Sequence, residues 1–116
     1  MQCQLAPYPS YYGAVERITL PLLQVLAQFI AHPDVDWFGY RLAQTTGLRS
    51  GSVHENLIRL ENAGWIEARW EEAEHEEPHR GPRRRLYRLT PLGLREGAPL
   101  LRRRTRTLFL GQQELG

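Results

Sequence analysis

Apolar residues recur at helical spacing near the start of the chain. Leu22, Leu23, Leu26, Phe29 and Ile30 form one wide stripe, which predicts a helix from about Thr19 to Ala31. Thr19 can cap it, Pro21 is tolerated in its first turn, and His32-Pro33-Asp34 ends it. A second helix is expected from about Trp37 to Thr46, opened by Asp36, with Phe38, Leu42 and Ala43 turned inward. Gly47 supplies a left-handed turn residue, and Leu48 can plug the corner beyond it. A third helix follows from Ser50 or Gly51 to Ala63, with Val53, Leu57 and Leu60 on one stripe and Gly64 as its stop. The gap between the second and third helices, centred on Gly47, has the length of a helix-turn-helix.

The period then changes from helical to alternating. Trp65, Glu67 and Arg69 alternate with Ile66, Ala68 and Trp70, and a second, less regular alternation runs from about Arg84 to Leu89. Between them, 71–83 is highly charged and holds Pro78, Gly81 and Pro82, as a hairpin tip would. A strand, a charged loop and a strand directly after a helix-turn-helix make a wing. Thr90-Pro91 then opens a last helix, expected to reach about Leu110. Gly93, Gly97 and Pro99 weaken its first half, and Pro99 should kink or restart it. The fold class is therefore mainly α with a small β-hairpin (α+β): a winged helix-turn-helix. Residues 1–14 read as an arm carrying three tyrosines, 15–90 as the DNA-binding domain and 91–116 as a C-terminal dimerisation helix.

The third helix turns its apolar stripe inward and leaves short polar side chains outside. A helix ~10–12 Å across fits a major groove ~12 Å wide. Arg49, Ser50, Gly51 and Ser52 make a small first turn whose free amides suit phosphate. Gly51, Ser52, Glu55 and Arg59 are expected opposite the stripe, with His54 on a flank. Arg59 can fork onto guanine, while Glu55 can accept from cytosine or pair with Arg59 four residues on. Arg80, Arg83, Arg84 and Arg85 surround the wing tip, where guanidinium groups suit a narrow minor groove and its phosphates. The acid run Glu71, Glu72, Glu74, Glu76 and Glu77 opposes this, and should point away from DNA or pair the arginines.

Overall composition adds less. The net charge is only +2, and all 15 basic residues are arginine, which either a GC-rich coding sequence or a need for forked donors would produce. Cys3 is the only cysteine, so no intrachain disulfide can form and a reducing cytoplasm fits. The N-terminus does not read as a signal peptide, and no stretch is apolar enough for a membrane span. His75 and His79 stand four apart among glutamates, but without cysteine in a loop they make a poor metal site, and no metal or other cofactor is expected. There is no nucleophile–base–acid set and no phosphate-binding glycine loop, so the chain does not read as an enzyme. Trp37, Trp65 and Trp70 either pack the core and wing or line a pocket for a small aromatic effector.

Two segments carry a family resemblance. Gly47-Leu48, Ser50 to His54, Leu57, Arg59-Leu60-Glu61 and Gly64-Trp65-Ile66 are similar to the third-helix signature of PadR-like regulators. Gly81-Pro82-Arg83-Arg84 and Tyr87 to Gly93 resemble that family's second wing strand and its exit into the last helix, and this match is the more specific. The resemblance implies a homodimeric repressor on a roughly palindromic operator in double-stranded DNA. It also implies a dimer built by the C-terminal helix with the first one; independently of it, Leu94, Leu100, Leu101, Leu108 and Phe109 are more apolar surface than a lone helix can bury, and a second copy would cover them. Three positions depart from the pattern: His54 stands for a frequent tyrosine, Asn56 for an apolar residue and Ile58 for a basic one. MarR-like and other winged-helix regulators are the competing relatives. A winged helix that docks on another protein, without reading DNA, is the competing function.

Overall fold

Thr19 caps the first helix as its position predicts. Its Oγ1 accepts the Leu22 N–H at 3.2 Å, and α1 spans Leu20–Ala31. The computed structural model describes residues 15, 17–72 and 83–115, with side chains as far as Arg106. Leu22, Val25, Leu26 and Phe29 of α1 are fully buried. Such side chains contribute roughly 1.5–3 kcal/mol each by leaving water. They meet Leu42 of α2 (Gly39–Thr46) and Val53, Leu57 and Leu60 of α3 (Ser50–Asn62).

The turn between α2 and α3 is Gly47-Leu48-Arg49. Gly47 adopts φ 79°, which a side chain would strain, and its N–H returns to the Ala43 carbonyl at 2.9 Å. Leu48 packs partly against the core, as a corner plug should.

The second helix starts later than its sequence suggests, because the residues before it are engaged elsewhere. Trp37 forms an antiparallel bridge to Tyr87, donating to its carbonyl at 2.8 Å and accepting its N–H at 2.7 Å. Asp36, expected as the cap, instead accepts from Arg69 Nη2 at 2.5 Å and Arg88 Nε at 2.9 Å. Phe38 is left as an N-cap without a side-chain hydrogen bond.

The hairpin pairs β1 (Ile66–Trp70) with β2 (Arg85–Leu89) in antiparallel register, from Ile66 opposite Leu89 to Trp70 opposite Arg85. Ile66, Tyr87 and Leu89 face the core, while Glu67, Arg69 and Arg88 face out. With Trp37 bridged to Tyr87, the segment before α2 borders the hairpin along its β2 side.

The last helix is more regular than expected. α4 runs unbroken from Pro91 to Leu115 with Pro99 inside it. Thr90 Oγ1 caps it, accepting the Gly93 N–H at 3.0 Å and donating to the Gly64 carbonyl at 2.7 Å. The two glycines that weaken its first half are there for packing. A Cβ on Gly93 would stand 2.0 Å from the Trp65 carbonyl oxygen, and one on Gly97 3.2 Å from Leu26 Cδ1. Close approach of α4 to Trp65 repays the lost helix propensity.

Candidate nucleic-acid interface

The residues of α3 that point outward follow from its buried stripe. Val53, Asn56, Leu57 and Leu60 are buried, so at 3.6 residues per turn the opposite side carries Gly51, His54, Glu55, Ile58 and Asn62. All five are exposed, as are Arg49 and Ser50 at the helix start. Thus Arg49, Ser50, Gly51, His54 and Glu55 lie where a groove-reading helix needs them.

Two expected members of this face lie elsewhere. Ser52 is half-buried, and its carbonyl accepts Asn56 Nδ2 at 2.8 Å. Arg59 is also half-buried; its guanidinium donates to Asn56 Oδ1 at 3.3 Å and to the Arg17 carbonyl. The cause is Asn56. A polar residue at a core position must bond its amide, and it does so within α3 and through Arg59. Of the partners expected for Arg59 within the helix, the structure gives it Asn56 rather than Glu55.

The wing arginines stand across from α3. Arg83 and Arg84 are exposed and Arg85 is half-buried. Arg84 lies 4.6 Å over the Phe38 ring and bonds the Glu71 carboxylate twice, through its backbone N–H at 3.2 Å and Nη1 at 3.3 Å. Arg85 lies 5.0 Å over the Trp70 ring and 3.7 Å from Glu61. The expectation that acid-run carboxylates pair the arginines is met by Glu71. Arg80, His75 and His79, with 73–82 as a whole, lie outside the described residues.

Between the α2–α3 corner and the wing runs an open groove of about 940 Å³. Phe38, Tyr40 and Trp70 give it aromatic walls, Ser50, Gly51 and His54 one rim, and Arg84 and Arg85 the other. Sequence reading missed Phe38, Tyr40 and Trp70 as parts of this face. Tyr40 carried a signal, since a tyrosine at the second position of a short helix falls on the side away from Leu42. Tyr87 closes the groove floor, and burial, with Glu61 nearby, pushes its phenol above the usual range. Trp37 and Trp65 are buried in the core, whereas Trp70 is 55% exposed.

The residues expected to pair two copies are divided. Leu94 is exposed and Leu101 half-buried, but Leu100 packs against this chain's own core. The side chains of Leu108 and Phe109 lie outside the described set. Arg102, Arg103, Arg104 and Arg106 are exposed along α4. Among the described residues, no helix is long and apolar enough to cross a membrane, and no three His, Cys, Asp or Glu side chains group as metal ligands.

Comparison with known proteins agrees with this geometry. A profile of the transcriptional regulator PadR-like family matches residues 36–98. No curated protein sequence matches the chain. Among solved structures, a PadR family regulator from Eggerthella lenta superposes with a TM-score of 0.58 at 21% identity, over 82% of this chain and 77% of that one. A PadR family regulator from Clostridium difficile gives 0.54 at 24% identity, over 81% and 98%. The PcaV regulator of Streptomyces coelicolor, solved with its natural ligand, gives 0.60 at 26% identity, over 96% and 74%. These likenesses show a shared fold, and the profile spans both α3 and the hairpin of this chain. With more than half of the 116 residues inside that match, the chain belongs to the PadR-like family and is a DNA-binding transcriptional regulator.

Proposed function

We propose that this regulator is a cytoplasmic homodimeric repressor, with 15–90 as its DNA-binding unit and 91–116 as its dimerisation helix. In this reading α3 enters the major groove through Ser50, Gly51, His54 and Glu55, while Arg83, Arg84 and Arg85 reach the adjacent minor groove and its phosphates. Arg49 meets the backbone at the start of α3. Ser52 and Arg59 support that helix from behind rather than reading bases. The observation that carries the reading is the exposed α3 face standing across one groove from the wing arginines.

Pairing two copies along α4 would bury Leu94 and Leu101 and set two α3 helices ~34 Å apart, one DNA turn. PcaV was solved with its natural ligand, which motivates a search for a small aromatic effector here. Gel shift on the duplex upstream of the protein's own gene at ~50–100 mM salt tests the reading, since phosphate contacts weaken steeply with salt. A retarded complex of one dimer per duplex is expected. Absence of any complex at low salt would favour the wing as a protein-docking module instead.

A further inference from the structure

The outward face of α3 carries an exposed β-branched side chain. Ile58 is 44% exposed and lies outside the core cluster, although Leu57 and Leu60 beside it are buried. It follows Glu55 by three residues, so the two side chains share the outward face with Cβ atoms about 5–6 Å apart. Arg59, the arginine within α3, is half-buried and donates to Asn56 Oδ1 at 3.3 Å.

The major groove offers few groups that fit such a pair. Guanine presents only acceptors, N7 and O6, which a carboxylate repels. Cytosine and adenine each present an amine donor, and thymine alone presents a methyl group. That methyl lies on C5, on the side of the base nearest its own sugar–phosphate strand. Bases along one strand rise about 3.4 Å per step, so the spacing of Glu55 and Ile58 matches bases one or two steps apart.

We propose that Ile58 is a specificity-determining residue that packs on the C5-methyl of a thymine, one or two bases from the base whose amine Glu55 accepts. The proposal rests on α3 entering the major groove. It makes the centre of the helix a reader of amine and methyl edges, not of guanine.

The test starts from duplexes selected by the wild-type protein out of a random pool. Each thymine of the preferred duplex is then replaced in turn by deoxyuridine, which removes only the methyl. Wild type should lose about fourfold in affinity per half-site at one thymine, the worth of one buried methyl, and no more than marginally elsewhere. Ile58→Ala should bind the unmodified duplex as weakly as wild type binds the uracil duplex, with no further loss on the uracil duplex. Because Ile58 is exposed, the alanine variant should melt no lower than wild type, and a melting curve checks this. Ile58→Arg should bind all duplexes more evenly, with a steeper salt dependence. Equal losses at every uracil position in wild type and Ile58→Ala would overturn the assignment of Ile58 while leaving α3 as the reading helix. Failure to enrich any duplex would overturn the major-groove reading together with it.

Discussion

The two ends of the hairpin are built on different physics. At its base, Ile66 pairs with Leu89, the Trp65 carbonyl accepts the Thr90 N–H at 2.9 Å, and Gly93 lies flush against Trp65. Nothing at that end can shift without moving backbone. At the far end, Trp70 pairs with Arg85, and the partners beyond are an exposed ring, a half-exposed guanidinium and Glu71. Such contacts are worth little individually in water. The base therefore carries stability, and the far end is free to exchange partners. A wing that exchanges its own carboxylates for phosphate, as proposed above, needs this division.

The comparison can be broken first at the base. In Gly93→Ala the new Cβ would meet the Trp65 carbonyl oxygen at 2.0 Å and Leu89 Cδ1 at 2.9 Å. Overpacking against backbone costs about 3 kcal/mol or more. Thermal unfolding should show a Tm lower by about 10 °C or more. Gly51→Ala is the matched control on α3, where a Cβ meets nothing within 4 Å. It should gain up to ~1 kcal/mol from helix propensity. A Gly93→Ala protein as stable as wild type would mean that α4 does not sit on Trp65.

The next effect lies at the far end and is read in binding, not in folding. Arg83→Ala with Arg84→Ala should weaken binding to every duplex by about tenfold or more at moderate salt. It should also flatten the salt dependence by about two phosphate contacts. The melting temperature should move by no more than a few degrees, because both side chains are exposed. Unchanged binding would place the DNA contact elsewhere. Glu55→Gln is the complementary change on α3. It should alter which base is preferred opposite that position, by about 1–3 kcal/mol of discrimination, and leave the salt slope nearly unchanged.

Much of this division was legible in the sequence. The helix-turn-helix spacing, the Thr90-Pro91 start and the charged hairpin each rest on local chemistry: a left-handed glycine, a hydroxyl cap, an alternating period. What was not legible depends on which residues meet across the fold. Asp36 has the chemistry of a helix cap, but long-range partners Arg69 and Arg88 claim its carboxylate. Gly93 and Gly97 weaken a helix locally, and only the Trp65 surface beneath them shows why they are there. Arg59 was expected opposite the buried stripe, and no local rule tells that Asn56 is buried next to it and takes its guanidinium as a partner. Sequence pattern places elements, but a polar side chain goes to whichever partner the tertiary fold brings closest.

Between the two ends lies the Asp36 clamp, which ties the segment before α2 to both strands. Its two pairs are partly exposed, with the Arg69 side chain 56% and the Arg88 side chain 45% open to solvent. Asp36→Asn keeps the shape and removes the charge, so two arginines would face each other across one neutral amide. A cost of about 1 kcal/mol is expected, read as an earlier denaturant midpoint with an unchanged slope. A slope that falls would mean that the hairpin loosens as a unit.

The smallest effect should come from Glu71, and it separates the two ends most cleanly. Its carboxylate accepts from the Arg84 backbone N–H at 3.2 Å and from Nη1 at 3.3 Å. The strand ladder continues beside it, with the Glu71 N–H donating to the Arg84 carbonyl at 2.8 Å. Glu71→Gln keeps an acceptor for the backbone N–H and removes the ion pair. Stability should change by less than about 0.5 kcal/mol, because the Arg84 side chain is 44% open to solvent and the backbone N–H keeps its acceptor. DNA binding should instead tighten by about two- to threefold, since Arg84 no longer has to leave a carboxylate before meeting a phosphate, and one negative charge is gone from the DNA-facing end. The gain should shrink as salt rises, because both pairings are screened together. If Glu71→Gln destabilises the fold and weakens binding in step, the far end is a structural joint like the base, and the division drawn between the two ends of the hairpin does not hold.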